Sequence, residues 1–256
     1  MFKFSVCIEM ILGELPFLDR IDAVAEMGYP AFEFWGWRTK DLKGILERKK
    51  KNGLEVAIFG VDHKGKLVDY STRNKFIKGL RESLETAQKL ECSTLLVTVG
   101  NEIIGVPRKK QHESIVKCLT EAAEFAEKAD VTLALEPLNV LVDHKGYYLY
   151  SSREGFEIVN EVNSPYVKLL YDIYHQQIME GNLIDTITKN IDLIAHFHVA
   201  DVPGRHEPGT GEINYVNVFR SIGKTGYNGY VGLEFKPLTS SKEALRRVMS
   251  IVCCAE

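Results

Sequence analysis

Four residues of metal-ligating type close four apolar runs in the second half of the chain. Glu136 ends Val-Thr-Leu-Ala-Leu-Glu, Asp172 ends Val-Lys-Leu-Leu-Tyr-Asp, His198 ends Ile-Ala-His-Phe-His and Glu234 ends Tyr-Val-Gly-Leu-Glu. A buried carboxylate is unfavourable unless it is paired or bound to a metal. Four ligand-type residues in register outweigh the reading of each as an ordinary strand-end acid. Three carboxylates and one imidazole suit Mg2+ or Mn2+ best, and Co2+ or Zn2+ are also compatible. A metal that chelates adjacent carbonyl and hydroxyl oxygens acidifies the intervening C–H and stabilises the enediolate that follows. One glutamate removes the proton, and it or the opposite glutamate returns one. Return to the neighbouring carbon is isomerisation; return to the opposite face of the same carbon is epimerisation. The ligands alone do not distinguish the two.

The elements that must position these residues are read from periodicity. Short β-rich runs occur at Phe4–Ile8, Ala31–Trp35, Leu54–Phe59, Thr94–Val99, Val131–Glu136, Val167–Asp172, Ala195–Val199 and Gly229–Glu234. Helical spacing recurs between them: Leu18, Ile21, Val24 and Ala25 within Phe17–Met27; Phe76, Leu80, Leu84 and Ala87 within Asn74–Leu90; Val116, Leu119, Ala122 and Ala126 within Ser114–Ala129. Eight alternating strands and helices in 256 residues predict a (β/α)8 barrel. No linker or low-complexity segment interrupts it, so residues 1–256 read as one domain. Strand parity puts Thr132, Ala134 and Glu136 on the inward face, with His196 and His198 on one face and Tyr230, Gly232 and Glu234 on one face. All four ligands then point inward at the C-terminal mouth, where such barrels carry their chemistry.

Other residues gather around this set. His175, three residues after Asp172, is expected to reach over the site from the loop after the sixth strand. As a neutral imidazole it would donate to a substrate oxygen. His196, one layer deeper than His198, reads as a hydrogen-bonded core group. His63, after the third strand, could line the mouth. The segment from Asp201 to Tyr215 contains three glycines and two prolines and forms a shaped loop. Its Arg205 offers a planar fork of donors suited to a substrate carboxylate. Phe32, Phe34, Trp35 and Trp37 cluster at and after the second strand; core packing is the better reading, with an apolar pocket wall the alternative.

Composition narrows the partners. The chain is 45% hydrophobic and 26% charged with a net charge of −3 and no basic block, which argues against a nucleic-acid partner. No apolar run reaches the length of a membrane span, and Met1-Phe2-Lys3 leads straight into a strand. Five cysteines without CxxC spacing, Cys7 among them as a small core residue, fit reduced thiols and a cytoplasmic setting. There is no Walker-type loop and no GxGxxG. The expected partner is a small keto acid or sugar, and a homo-oligomer remains open.

Several motifs resemble the xylose-isomerase-like TIM-barrel superfamily and, more narrowly, the hydroxypyruvate isomerase family. They are Phe-Leu-Asp-Arg at 17–20, Leu-Glu-Pro-Leu-Asn at 135–139, Tyr-Asp-Ile-Tyr-His-Gln-Gln-Ile-Met-Glu-Gly at 171–181, the run from His198 to Tyr215, and Gly-Leu-Glu at 232–234. The Pro-Gly-Arg to Asn-Tyr part is the most specific. The resemblance implies that Glu136 and Glu234 are the proton donor and acceptor. It also implies interconversion of hydroxypyruvate and 2-hydroxy-3-oxopropanoate, or of a related 2-oxo acid. The main alternative is a ketose 3-epimerase, which typically carries a further glutamate where this chain has Val142. The apurinic endonuclease branch of the barrel would need additional histidines on the third and fourth strands, and the fourth run here ends Leu-Val-Thr-Val-Gly-Asn without one. A non-catalytic sugar-binding barrel is the remaining reading.

Overall fold

The structure is a computed structural model that describes residues 2–62 and 65–255. Eight parallel strands form a closed barrel in chain order: β1 (Lys3–Cys7), β2 (Ala31–Phe34), β3 (Glu55–Gly60), β4 (Thr94–Val97), β5 (Thr132–Leu135), β6 (Val167–Asp172), β7 (Ile194–Val199) and β8 (Tyr230–Leu233). The helices between and after them are α1 (Phe17–Glu26), α2 (Leu42–Asn52), α3 (Arg73–Leu90), α4 (Arg108–Ala129), α5 (Ser152–Val162), α6 (Ile173–Met179), α7 (Leu183–Lys189), α8 (Tyr215–Lys224) and α9 (Ser241–Ala255). This is the (β/α)8 barrel that the alternating pattern predicts.

Apolar side chains segregate by strand parity. The large core lies between the strands and the helix ring and includes Phe32, Leu133, Leu135, Leu169 and Phe197. A small separate cluster of Ile58, Ala134 and Leu170 fills the barrel interior. Inward-pointing polar residues sit above it.

Two local readings change. Helical spacing begins at Ser114, but α4 starts at Arg108, directly after Pro107. The fixed φ of Pro107 suits a helix entry, and the first turns, Arg-Lys-Lys-Gln-His-Glu, are too polar to register as apolar period. His175 is not on a loop. Helix α6 follows β6 without a break, because Asp172 caps it: Oδ1 accepts from the backbone N–H of Tyr174 at 2.8 Å and of His175 at 3.2 Å.

The glycine-rich loop after β7 is built around Asp201. This fully buried side chain accepts from the backbone N–H of Val202, Gly209, Thr210, Gly211 and Ile213 at 2.8–3.1 Å. Gly211 is required by space, since a Cβ there would stand 2.1 Å from the Val202 carbonyl oxygen. Replacing Asp201 with alanine removes the charged acceptor of five backbone N–H groups, that of Ile213 in a buried setting, and will destabilise the protein by about 3 kcal/mol. For a chain of this size that is a fall in Tm of roughly 6–12 °C. A Tm within about 2 °C of wild type would contradict this role for Asp201.

Among the described residues no helix is long and apolar enough to cross a membrane. Cys7, Cys92 and Cys118 are buried free thiols. His63 lies outside the described residues.

Candidate active site

Strand register brings the four expected ligands together. Asp172 pairs with His198 across β6 and β7. Glu136 and Glu234 each stand one residue past the ladder, and their backbone N–H groups still donate to Val97 (3.0 Å) and Val199 (3.2 Å). Each of the four is at most 5% exposed. One ligand atom from each lies within 4.8 Å of those of the other three. His198 Nδ1 is central, 3.3 Å from Glu136 Oε1 and 3.6 Å from Glu234 Oε2.

The donor set fits a divalent cation. Two ionised carboxylates about 4 Å apart repel by about 4 kcal/mol at an effective dielectric near 20. Three converge here, and among the described residues only His198 and Arg205 contact them as cationic groups. The carboxylates respond unequally. Burial, with repulsion from Glu234 and Asp172, holds Glu136 above the usual carboxylate range despite His198. Burial also raises Asp172. For Glu234, His198, Arg205 and the Trp35 indole N–H outweigh burial and hold it below that range. Burial opposes a charge on His198, but Glu234 and Glu33 outweigh it and push the ring well above its ordinary value. A bound dication would take over this compensating role.

Two further expected residues border the set. Asn139 orders His175: its Oδ1 accepts from the N–H of Val142 and of Asp143, both at 3.0 Å, which fixes the amide. Its Nδ2 then donates to His175 Nδ1 at 2.7 Å, and its backbone N–H points at the same nitrogen at 3.2 Å. The ring proton therefore sits on Nε2, 3.5 Å from Asp172 Oδ2 and without a hydrogen-bond partner. Burial keeps the ring neutral. Arg205, in a left-handed conformation with φ of 59°, ion-pairs with Glu234 and stacks over Tyr174, while its buried Nε lacks a partner.

Glu136, Glu234, His175 and Arg205 line a cavity of about 600 Å3, with Trp35, Trp37, Leu96 and Leu138 as apolar walls and the Arg38–Asp62 ion pair among the lining residues. The expectation of core packing for Trp35 is overturned. Its side chain is 49% exposed in the cavity, and its Nε1–H donates to Glu234 Oε1 at 2.7 Å. Trp37 is buried, as core packing requires, and donates to Ser83 Oγ at 3.0 Å. Sequence reasoning missed Asn139, His144, whose ring meets His175 edge-on, and Glu33. Parity held the signal for Glu33: with Phe32 and Phe34 turned outward to the helices, Glu33 and Trp35 turn inward. Asn139 belongs to the 135–139 motif, but nothing in the sequence pointed to its partner, and His144 left no signal, because their loop folds onto α6 only in three dimensions. The donor groupings found among the described residues are the four-residue set and Glu33, His196 and His198; they share His198.

The sequence matches the family described as "Xylose isomerase-like TIM barrel" over residues 21–251. It is 33% identical over 253 residues to the hydroxypyruvate isomerase of Escherichia coli (strain K12), covering 96% of this chain and 98% of that one. It is 32% identical over 245 residues to the 2-oxo-tetronate isomerase of Haemophilus influenzae, covering 92% and 93%. The solved structure titled "AP endonuclease, family 2 from Brucella melitensis" superposes with a TM-score of 0.93 at 30% identity, over 98% of this chain and 99% of that one.

Proposed function

We propose that this chain, an isomerase that belongs to the xylose isomerase-like TIM-barrel family and within it to the hydroxypyruvate isomerase family, interconverts a short 2-oxo acid with its aldehyde isomer at a divalent-ion centre. Hydroxypyruvate and 2-hydroxy-3-oxopropanoate are the simplest such pair. The single observation that carries this reading is that Glu136 and Glu234, buried just past the ends of β5 and β8, converge on the same imidazole nitrogen of His198.

Glu136, Asp172, His198 and Glu234 would hold the ion, with Mg2+ or Mn2+ suiting the oxygen-rich set. When bound, it supplies Lewis-acid stabilisation of negative charge on the substrate's adjacent oxygens. The remaining work falls to side chains. One glutamate takes the proton from C3, and the C–H electron pair becomes the C2–C3 double bond of the enediolate. Charge moves onto the C2 oxygen, towards which His175 Nε2–H can donate. Reprotonation at C2 by either glutamate, with transfer of the C3 hydroxyl proton to O2, completes an isomerisation with no net gain or loss of atoms. Trp35 and Arg205 hold Glu234 in line, and Trp35, Trp37 and Leu138 keep water from the intermediate. Arg205 is the group to receive the substrate carboxylate.

Cavity size favours a longer acid as an additional substrate. A volume of about 600 Å3 lies in the range that accepts much larger ligands than a three-carbon acid. The same volume admits a free ketose, which keeps the epimerase as the second reading. Against it, the position of the extra epimerase glutamate is Val142, 60% exposed. The sharing of His198 between the two donor groupings likewise favours a single-ion centre over a multi-zinc nuclease.

The test is deuterium incorporation from heavy water into hydroxypyruvate, a four-carbon 2-oxo acid and a free ketose, each with Mn2+ or Mg2+. Arg205→Lys keeps the charge but loses the two-pronged geometry. It will lower kcat/KM for the acids roughly 10–100-fold, the equivalent of one charge-assisted hydrogen bond, and change ketose turnover far less. Equal losses for both classes would mean that Arg205 only braces Glu234. Efficient ketose turnover with no exchange into the acids would move the assignment to the epimerase.

A further inference from the structure

Beneath the donor set lies Glu33, a carboxylate 2% exposed that has no part in the mechanism above. Its oxygens are shared by side chains from β1 and β7. Ser5 Oγ donates to Oε2 at 2.6 Å, and His196 Nε2 lies 3.1 Å from the same oxygen. His198 Nε2 lies 3.0 Å from Oε1, close enough for an ion pair but off the angle of an aligned hydrogen bond, so both atoms lack a formal partner. The opposite ring nitrogen, Nδ1, faces Glu136 and Glu234. The imidazole thus spans from Glu33 to the donor set. Its Nδ1 can offer a lone pair only while Nε2 carries the proton, and an acceptor beside Nε2 holds the proton there.

Gly232 supplies an independent observation. It pairs with Ser5 in β1 and with His198 in β7. A Cβ at Gly232 would stand 2.5 and 2.6 Å from the two Glu33 oxygens and 2.7 Å from His198 Cδ2. Space for the Glu33–His198 pair, rather than backbone conformation, is what requires glycine here.

We propose that Glu33 is a positioning residue for His198: it retains the Nε2 proton, turns Nδ1 toward Glu136, Asp172 and Glu234, and so sets the affinity of the centre for a divalent ion. This rests on the metal-centre reading given above. Partners of this kind, set behind a ligating histidine, typically govern metal affinity by 10–100-fold.

Mn2+ binding, followed by calorimetry and by the electron paramagnetic resonance of the bound ion, tests it in wild type, Glu33→Gln and Gly232→Ala. Glutamine keeps the shape and removes the charge; alanine at 232 removes no charge and displaces the pair. Both variants will weaken Mn2+ binding about 10–100-fold, with a cooperative melt retained and kcat recovering toward wild type at saturating Mn2+. A purely structural role would lower Tm without moving the Mn2+ constant or its resonance. If Glu33→Gln does not fold, Gly232→Ala decides. A folded Glu33→Gln that binds Mn2+ within about twofold of wild type overturns the proposal. Two ions bound by wild type and one, with unchanged affinity, by Glu33→Gln would overturn it in favour of a second ion at Glu33, His196 and His198. Absence of Mn2+ binding by the wild type would defeat the metal-centre reading itself, and this inference with it.

Discussion

Replacing either Glu136 or Glu234 with glutamine will lower kcat for proton exchange by at least about 100-fold, the lower scale for a general acid or base. An amide has nearly the shape of the carboxylate and keeps an oxygen that can ligate, but it cannot take up a proton at neutral pH. The change therefore separates chemistry from architecture: the fold and part of the metal affinity survive while exchange stops. The Trp35 indole can still donate to the amide oxygen at position 234, so the side chain stays in place. Of the two, Glu234 is expected to act first as base, because the Arg205 guanidinium and the Trp35 indole N–H contact its carboxylate and favour its ionised form. Single-turnover deuterium incorporation, with metal content measured on the same samples, checks the result. Near-normal exchange in both variants would remove these residues from the chemistry.

The second large effect concerns the ion. His198→Ala removes the only nitrogen from the four-residue set, and the loss of Mn2+ affinity will exceed the 10–100-fold expected from an outer partner. Activity will fall in parallel and will not return with moderate added metal. At Asp172 the clean variant is asparagine rather than alanine. The Asp172 side chain also caps α6, and loss of a cap alone costs about 1 kcal/mol. Binding will depend on pH with a definite sign. In the ion-free protein Glu234 and Glu33 push His198 well above its ordinary value against its burial. The ion must therefore displace a proton from the ring. Affinity rises with pH between about 6 and 8, by up to about tenfold per unit for one proton released. Calorimetry in buffers of different ionisation enthalpy counts that proton. Retention of metal at native affinity in both variants, or affinity that falls as pH rises, would reject the ligand assignment.

Much of this protein is written in one dimension. Alternation of β-rich runs with helical spacing determines eight strands and their helices, because each strand must bury one face on the helix ring and each helix one stripe on the barrel. Parity along Thr132–Glu136 and at His196 and His198 determines which side chains turn inward, since a strand repeats every two residues. Position at the ends of apolar runs was enough to name Glu136, Asp172, His198 and Glu234 as neighbours. Contacts between residues far apart in the chain were decided only by the tertiary structure. Closure of the barrel through the pairing of β1 with β8 sets Ser5, Glu33, His198 and Gly232 side by side. The loop carrying Asn139 and His144 folds onto α6 and so determines which nitrogen of His175 bears its proton. Trp35 reads as core by composition, yet it lies at the open end of its strand, where no further layer covers it, and it meets Glu234 instead. Local periodicity reports which face of an element is apolar; only the closed barrel determines what each inward polar group finds on the other side.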